Sequence, residues 1–338
     1  MSRLPPPHRA PTAALPLRRR TCLRWLGTLA LPASGLVACA APHPPVRVGS
    51  IVFPGYEMVF LARDLGLLDE TQARLIEMPS STDAVRALAS GQLEAANLTL
   101  DECIAAHAEG LDLRVLAVLD ISAGADAVYS RRPMTLAQLA GKRIAVEDSA
   151  VGATVLAALL EAARLRPDQI VQVPTVLPST GRDFAGGRAD VVITAEPWAS
   201  QIEAAGGHRL FDSTRMPGRI VDVMVAHAQV VRERPAALQH LVRAHFRGLA
   251  HWTRQPNDAA RRLAPRLELP PEQVAGAYRG LELPDRPQNL QLLRDGGQID
   301  ATARLLQQDM LRQGLMRESH PLSAISDTTA LRHPEAAQ

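Results

Sequence analysis

The chain has 338 residues, 37 basic and 35 acidic, for a formal net charge of +2, and aromatic residues make up only 3% of it. The near-balance of charge excludes a basic nucleic-acid binder. So few rings argue against a large carbohydrate ligand, which would be held by stacking.

The basic residues are not spread evenly. Residues 1–38 hold Arg3, Arg9, Arg18, Arg19, Arg20 and Arg24 and no acid, so the remainder carries 31 basic against 35 acidic residues, about −4. An apolar stretch over 25–38 is interrupted by Gly27, Pro32 and Gly35 and is too short to span a bilayer. A basic region, an apolar region and a small-residue exit make 1–38 an expected export signal. Arg19-Arg20-Thr21-Cys22-Leu23-Arg24 resembles a twin-arginine signal, with Cys22 in place of the usual Phe. Leu36-Val37-Ala38-Cys39 resembles a lipobox, which makes Cys39 the expected site of lipidation and 39–45 a proline-stiffened tether from the membrane. With Cys22 and Cys39 so assigned, Cys103 stands alone and no internal disulfide forms.

From Val46 short apolar runs alternate with helical periodicity. Residues 46–52 read as a strand ended by Pro54-Gly55, and 56–68 as a helix on which Met58, Leu61, Ala62 and Leu65 share a face. Strands are expected over 74–78 and 95–98, and helices over 82–90 and 101–109, each helix closed by a glycine. The continuous apolar run 113–120 suits a strand covered on both faces. The pattern repeats with a short helix at 135–140, strands at 143–146, 170–173, 191–194 and 222–226, and a helix at 153–164. Beyond this the chain is mostly helical, with Leu238, Leu241, Val242, His245, Leu249 and Trp252 on one stripe. His245 is expected in the core.

These alternations predict an α/β fold of two lobes, parallel-rich sheets flanked by helices, and two hinge crossings near 121–128 and 221–227. The expected boundaries are 46–121 with 226–316 for the first lobe, 127–221 for the second, and 317–338 for a flexible tail. About 300 residues beyond the export signal agree with two lobes.

No phosphate-binding P-loop, dinucleotide fingerprint, nucleophile elbow, zinc-binding helix or zinc-spaced cysteine pair occurs. Several segments in order carry a resemblance instead: Pro54-Gly55-Tyr56-Glu57; Leu61-Ala62-Arg63-Asp64-Leu65-Gly66-Leu67-Leu68; Ala87-Leu88-Ala89-Ser90-Gly91-Gln92-Leu93-Glu94-Ala95-Ala96; the run from Leu136 to Val146; and Gly186-Gly187-Arg188-Ala189-Asp190-Val191-Val192 leading to Glu196-Pro197. Together, over roughly 46–316, the chain resembles the solute-binding proteins of the nitrate, sulfonate, taurine and thiamine-precursor (NMT1-like) importer group. The resemblance implies a type II periplasmic-binding-protein fold, no catalysis and no cofactor or metal. It further implies an exported monomer held at the cell envelope by its lipid, with an ABC permease and its ATPase as partners. A pyrimidine-synthase-like enzyme of the same superfamily would need a cysteine-rich motif that the chain lacks.

The same resemblance, with strand ends as the place where open sheets bind ligands, selects the candidate ligand residues. They are Tyr56 and Glu57 after the first strand, Thr99 and Asp101 after the third, and Asp120 at the end of the fourth. In the second lobe they are Ser149, Gly152 and Thr154, which follow Glu147, then Glu196 and Trp198; Asp222 stands at the second crossing. Capping is the competing role for Thr99, which has capping-box spacing to Glu102, and for Ser149. Helix-start or packing roles compete at Glu57, Tyr56 and Trp198. Glu57, Asp101, Asp120, Glu147, Glu196 and Asp222 are all acids, with no Lys or Arg at these loop positions. That favours a small polar solute bearing an amine or protonated nitrogen heterocycle; a nitrate, sulfonate or taurine binder is the alternative.

Overall fold

The computed structural model describes residues 43–322 and 325–332. The first part of the chain runs β1 (Val46–Ser50), α1 (Glu57–Asp64), β2 (Ala73–Glu77), α2 (Ser81–Ala89), β3 (Ala95–Thr99), α3 (Leu100–Ala108) and β4 (Leu113–Ser122). It continues through β5 (Ala127–Ser130), β6 (Arg143–Glu147), α4 (Ala150–Ala163), β7 (Val171–Thr175), α5 (Thr180–Ala185), β8 (Val191–Thr194), α6 (Trp198–Ala204) and β9 (His208–Asp212). The last part is β10 (Val221–His227), α7 (Ala228–Glu233), α8 (Pro235–Arg254), α9 (Pro256–Leu267), α10 (Pro271–Ala277), β11 (Leu281–Glu282), α11 (Arg286–Leu292) and α12 (Gln298–Arg312).

Two sheets result, one per lobe. The six-stranded sheet has the order β11-β4-β10-β3-β1-β2 and the five-stranded sheet the order β7-β6-β8-β5-β9. Both are mixed. β1 is parallel to β2 and β3, and β6 to β7 and β8, but β10 runs antiparallel between β3 and β4, and β5 antiparallel between β8 and β9. β10, buried from Val221 to Ala226, therefore belongs to the six-stranded sheet along its full length. The second crossing lies ahead of it, in the segment from β9 to β10, and not over 221–227 as the sequence suggests. Ser122 and Ser213 join hydroxyls at 2.8 Å where the two crossings meet, and Ser213 Oγ also accepts the Gly124 N–H at 2.6 Å.

Packing follows the sequence periodicity. Met58, Leu61 and Ala62 are buried on α1, whose backbone crosses α8 so closely that a Cβ on Gly248 would stand 1.9 Å from the Met58 carbonyl oxygen. His245 is fully buried on α8, edge-on to Phe246 with 5.0 Å between ring centroids, and burial pushes its pKa down to about 4. The C-terminal segment departs from the expected flexible tail. Ile325 and Leu331 are buried, residue 325 accepts the Val115 N–H at 2.7 Å, and Ser326 donates to Asp300 at 2.7 Å. Three apolar side chains at 325, 330 and 331 provide the burial that the polar stretch between them obscures. The expected export signal and Cys39 lie outside the described residues.

Candidate functional site

The carboxyl ends of β1, β3, β4 and β6 and the amino end of the antiparallel β10 meet at one cleft. Register builds its floor: Asp222 on β10 pairs with Asp120 on β4 and with Thr99 on β3, so three polar residues lie abreast across three strands. Asp120 is 0% and Asp222 2% exposed. The turn after β1 closes over them. Tyr56 is buried edge-on to Phe53, and its hydroxyl donates to Asp222 Oδ1. Gly55 is required here, because a Cβ would stand 1.7 Å from Asp120 Oδ2.

Thr99 caps α3 in a capping box with Glu102, whose Oε2 accepts the Thr99 N–H at 2.9 Å. The Thr99 hydroxyl also donates to Asp101 Oδ1 at 2.5 Å. Asp101 Oδ2 accepts the Thr154 hydroxyl at 2.7 Å, and since α3 and α4 belong to different lobes, this bond joins them. A second such bond runs from Thr82 Oγ1 to the Asp148 carbonyl, also 2.7 Å.

Asp101, Glu102, Asp120, Asp222 and Glu147 are all buried, as is Asp126 Oδ2 on the crossing after β4. No basic side chain forms an ion pair with any of the six among the described residues. Neither Asp120 oxygen, nor Glu102 Oε1, nor Asp126 Oδ2 receives an N–H or hydroxyl donor. Desolvation drives all six toward the neutral form, Asp120 to about 8 and Asp126 to about 6. Asp120 adds to the push on Asp222, and Asp101 to that on Glu102.

Two cavities flank this waist. One of about 320 Å³ lies among Met78, Glu147, Pro178, Trp198 and Arg266. The other, about 740 Å³, lies among Glu102, Ser149, Ala153, Met310 and His320. The smaller one sits beyond the ends of β1, β2, β6 and β8, where an open-sheet ligand belongs.

Other expected site residues have structural partners. Glu57 is 0% exposed and held bidentately by Arg266, at 2.6 and 3.1 Å, so both of its oxygens are taken up. Burial pushes Glu57 up to about 7 while Arg266 pulls the other way. Arg266 also bonds Glu77 at 2.7 Å and lies over the Phe60 ring at 3.7 Å. Ser149 is the N-cap of α4, accepting the Gly152 N–H at 3.2 Å. A Cβ on Gly152 would meet the Glu147 carbonyl oxygen at 2.3 Å, which accounts for the glycine by packing. Both Glu196 oxygens are taken up by Ser200, at 3.0 and 3.2 Å, at the start of α6. Trp198 is 8% exposed and lines the smaller cavity.

Asp126, Arg266 and Glu102 as more than a cap stand outside the set of expected site residues. Asp126 follows Gly124 at the first crossing, a hinge position that signals proximity to the cleft. Nothing local marks Arg266, which reaches Glu57 across 209 residues.

The family model of the NMT1-like family matches residues 39–267. The chain belongs to that family. No curated protein matches it in sequence. Among solved structures it is similar to the alkanesulfonate-binding protein from Xanthomonas axonopodis pv. citri bound to MOPS, with 18% identity, 82% of this chain and 96% of that one covered, and a TM-score of 0.69. It is also similar to the zinc-bound ligand-binding component of an ABC-type import system from Staphylococcus aureus, with 11% identity, coverage of 87% and 99%, and a TM-score of 0.71. The desulfurization enzyme DSZB is similar at 20% identity, coverage of 85% and 97%, and a TM-score of 0.61. This chain thus shares the two-lobe periplasmic-binding fold with binding proteins and with an enzyme, so the fold does not by itself fix the function.

Proposed function

We propose that this chain is the exported, lipid-anchored solute-binding component of an ABC importer. It closes its lobes on a small solute carrying a protonated nitrogen and delivers it to a permease with its ATPase. The observation that carries this reading is the set of buried carboxyl groups at the cleft floor with no basic partner among the described residues. A buried carboxylate is costly without a counter-charge, and an ammonium or protonated heterocycle supplies one. At 4 Å and an effective dielectric near 20, one such pair contributes about 4 kcal/mol before desolvation is subtracted. The cavity beside Trp198, Met78 and Pro178 gives the body of the solute an apolar wall.

Catalysis finds little support. Cys103 is fully buried on α3, and burial pushes its thiol up to about 12, so it supplies no thiolate.

An anion binder is the second reading. It is favoured by the start of α4, where Ser149, Ala150 and Ala153 line the larger cavity, and by the MOPS bound to a structural relative. A thermal-shift screen decides between the two. Alkylamines, diamines and aminopyrimidines should raise the melting temperature, whereas stabilisation by nitrate, taurine or alkanesulfonates alone would establish the anion reading.

A further inference from the structure

We propose that the Asp120–Asp222 pair holds a proton while the cleft contains no cation and surrenders it when the positive charge of the solute arrives, so that capture exchanges a proton for a cation. The inference rests on the cation reading of the cleft given above.

The geometry leaves the pair few alternatives. Directly opposed residues of an antiparallel ladder have Cβ atoms about 5 Å apart, and Asp120 and Asp222 oppose one another with exposures of 0% and 2%. The groups facing them come from every neighbouring element, and none is a cation. The turn after β1 offers the Tyr56 hydroxyl, already given to Asp222 Oδ1. β3 contributes Thr99, whose hydroxyl goes to Asp101. α3 contributes the acid Glu102 and the first crossing Asp126, while Asp101 and Glu147 lie beyond them, next to Glu102. Tyr278, after α10, also lies near enough to Asp120 to feel its charge. Neither oxygen of Asp120 receives a donor from any of these. Two carboxylates so placed cannot both ionise in a dry site. A proton between them removes the repulsion and gives Asp120 its missing partner. Burial, which holds Asp120 near 8, agrees.

The exchange balances. The carboxyl O–H bond breaks heterolytically, its electron pair stays on oxygen, and the proton passes to the buffer. The freed oxygen then accepts an N–H bond from the ammonium group. Net charge at the pair is unchanged. Below about pH 8 each bound cation displaces a proton, so affinity rises with pH, by at most tenfold per unit for one proton. A primary alkylamine suits the measurement because it keeps its own charge to about pH 10.

The test has two arms. Titration calorimetry of a primary alkylamine into the purified protein, in two buffers of different ionisation enthalpy at pH 6.5 (a value within roughly two units of Asp120), reads the protons released. About one is expected for the native protein and none for Asp120→Asn, with Asp222→Asn as an independent variant should the first fail to fold. Carbon-13 NMR of the aspartate carboxyls in ligand-free protein should show a resonance that titrates far above the ordinary range and is lost in Asp120→Asn. An amine that binds without proton release, or aspartates that all titrate normally, overturns the exchange and leaves the cation reading standing. No response to any amine, with binding of a sulfonate, overturns the cation reading and the exchange with it.

Discussion

Replacing Asp120 by Asn should stabilise the ligand-free protein and weaken it as a receptor. In the native protein burial lifts the Asp120 carboxyl from an ordinary 3.8 to about 8. At pH 7 the folded chain therefore holds a proton that the unfolded chain releases. The interval from 3.8 to 7 is worth about 4 kcal/mol at 1.36 kcal/mol per pH unit. That figure is an upper value, because the pair and its surroundings relax. The sign follows from a raised folded pKa: the contribution is fully present below about pH 4 and is lost as pH rises through about 8. Asn keeps the shape that Gly55 packs against and needs no proton. The variant should therefore melt higher than native at pH 7–8 by several degrees, at about 2 °C per kcal/mol for a chain of this length. Its stability should fall less steeply between pH 4 and 8, and its affinity for an alkylamine should drop at least tenfold. Melting curves by circular dichroism across that pH range, with and without amine, are the assay. A variant that melts below native at pH 8 and loses stability with pH as steeply as native would refute the account of a buried, protonated, partnerless carboxyl.

Arg266→Met leaves Glu57 buried without its bidentate partner and should cost about 3–5 kcal/mol in denaturant unfolding; a loss under 1 kcal/mol would mean the pair is not structurally important. Thr154→Val removes the hydroxyl that Asp101 accepts across the cleft, so X-ray scattering should show a larger ligand-free radius of gyration than native and contraction when an amine is added. Identical profiles for both proteins would remove that bond from the closure account. Cys39→Ala should shift the protein from the membrane fraction to the soluble exported fraction, and a variant that stays membrane-bound contradicts the lipid anchor.

Much of this arrangement is legible in the sequence because its signals are local. The α1 stripe, the glycine stops after α2 and α3, and the apolar run of β4 each announce themselves within ten residues or so. β5 and β11 escape notice because they have only four and two residues, and β9 because it is a half-exposed edge strand. β10 reads correctly as a strand, yet its place between β3 and β4 depends on a return from the far lobe that no periodicity encodes. At the site, acids at strand ends suggest a cleft lined by carboxyls, and register gathers Asp120, Asp222 and Thr99 into one row. Which acids remain unpaired is a tertiary matter: Glu57 finds Arg266 from α9, and Glu196 finds Ser200, while Asp120 finds only another carboxyl.

The claim that the cleft receives a cation is tested most directly by equilibrium titration of the purified protein with a primary alkylamine and an alkanesulfonate of the same chain length, at neutral pH. The account predicts saturable binding of the amine, weakened at least tenfold by Asp120→Asn, and no binding of the sulfonate. Saturable binding of the sulfonate with none of the amine would contradict it.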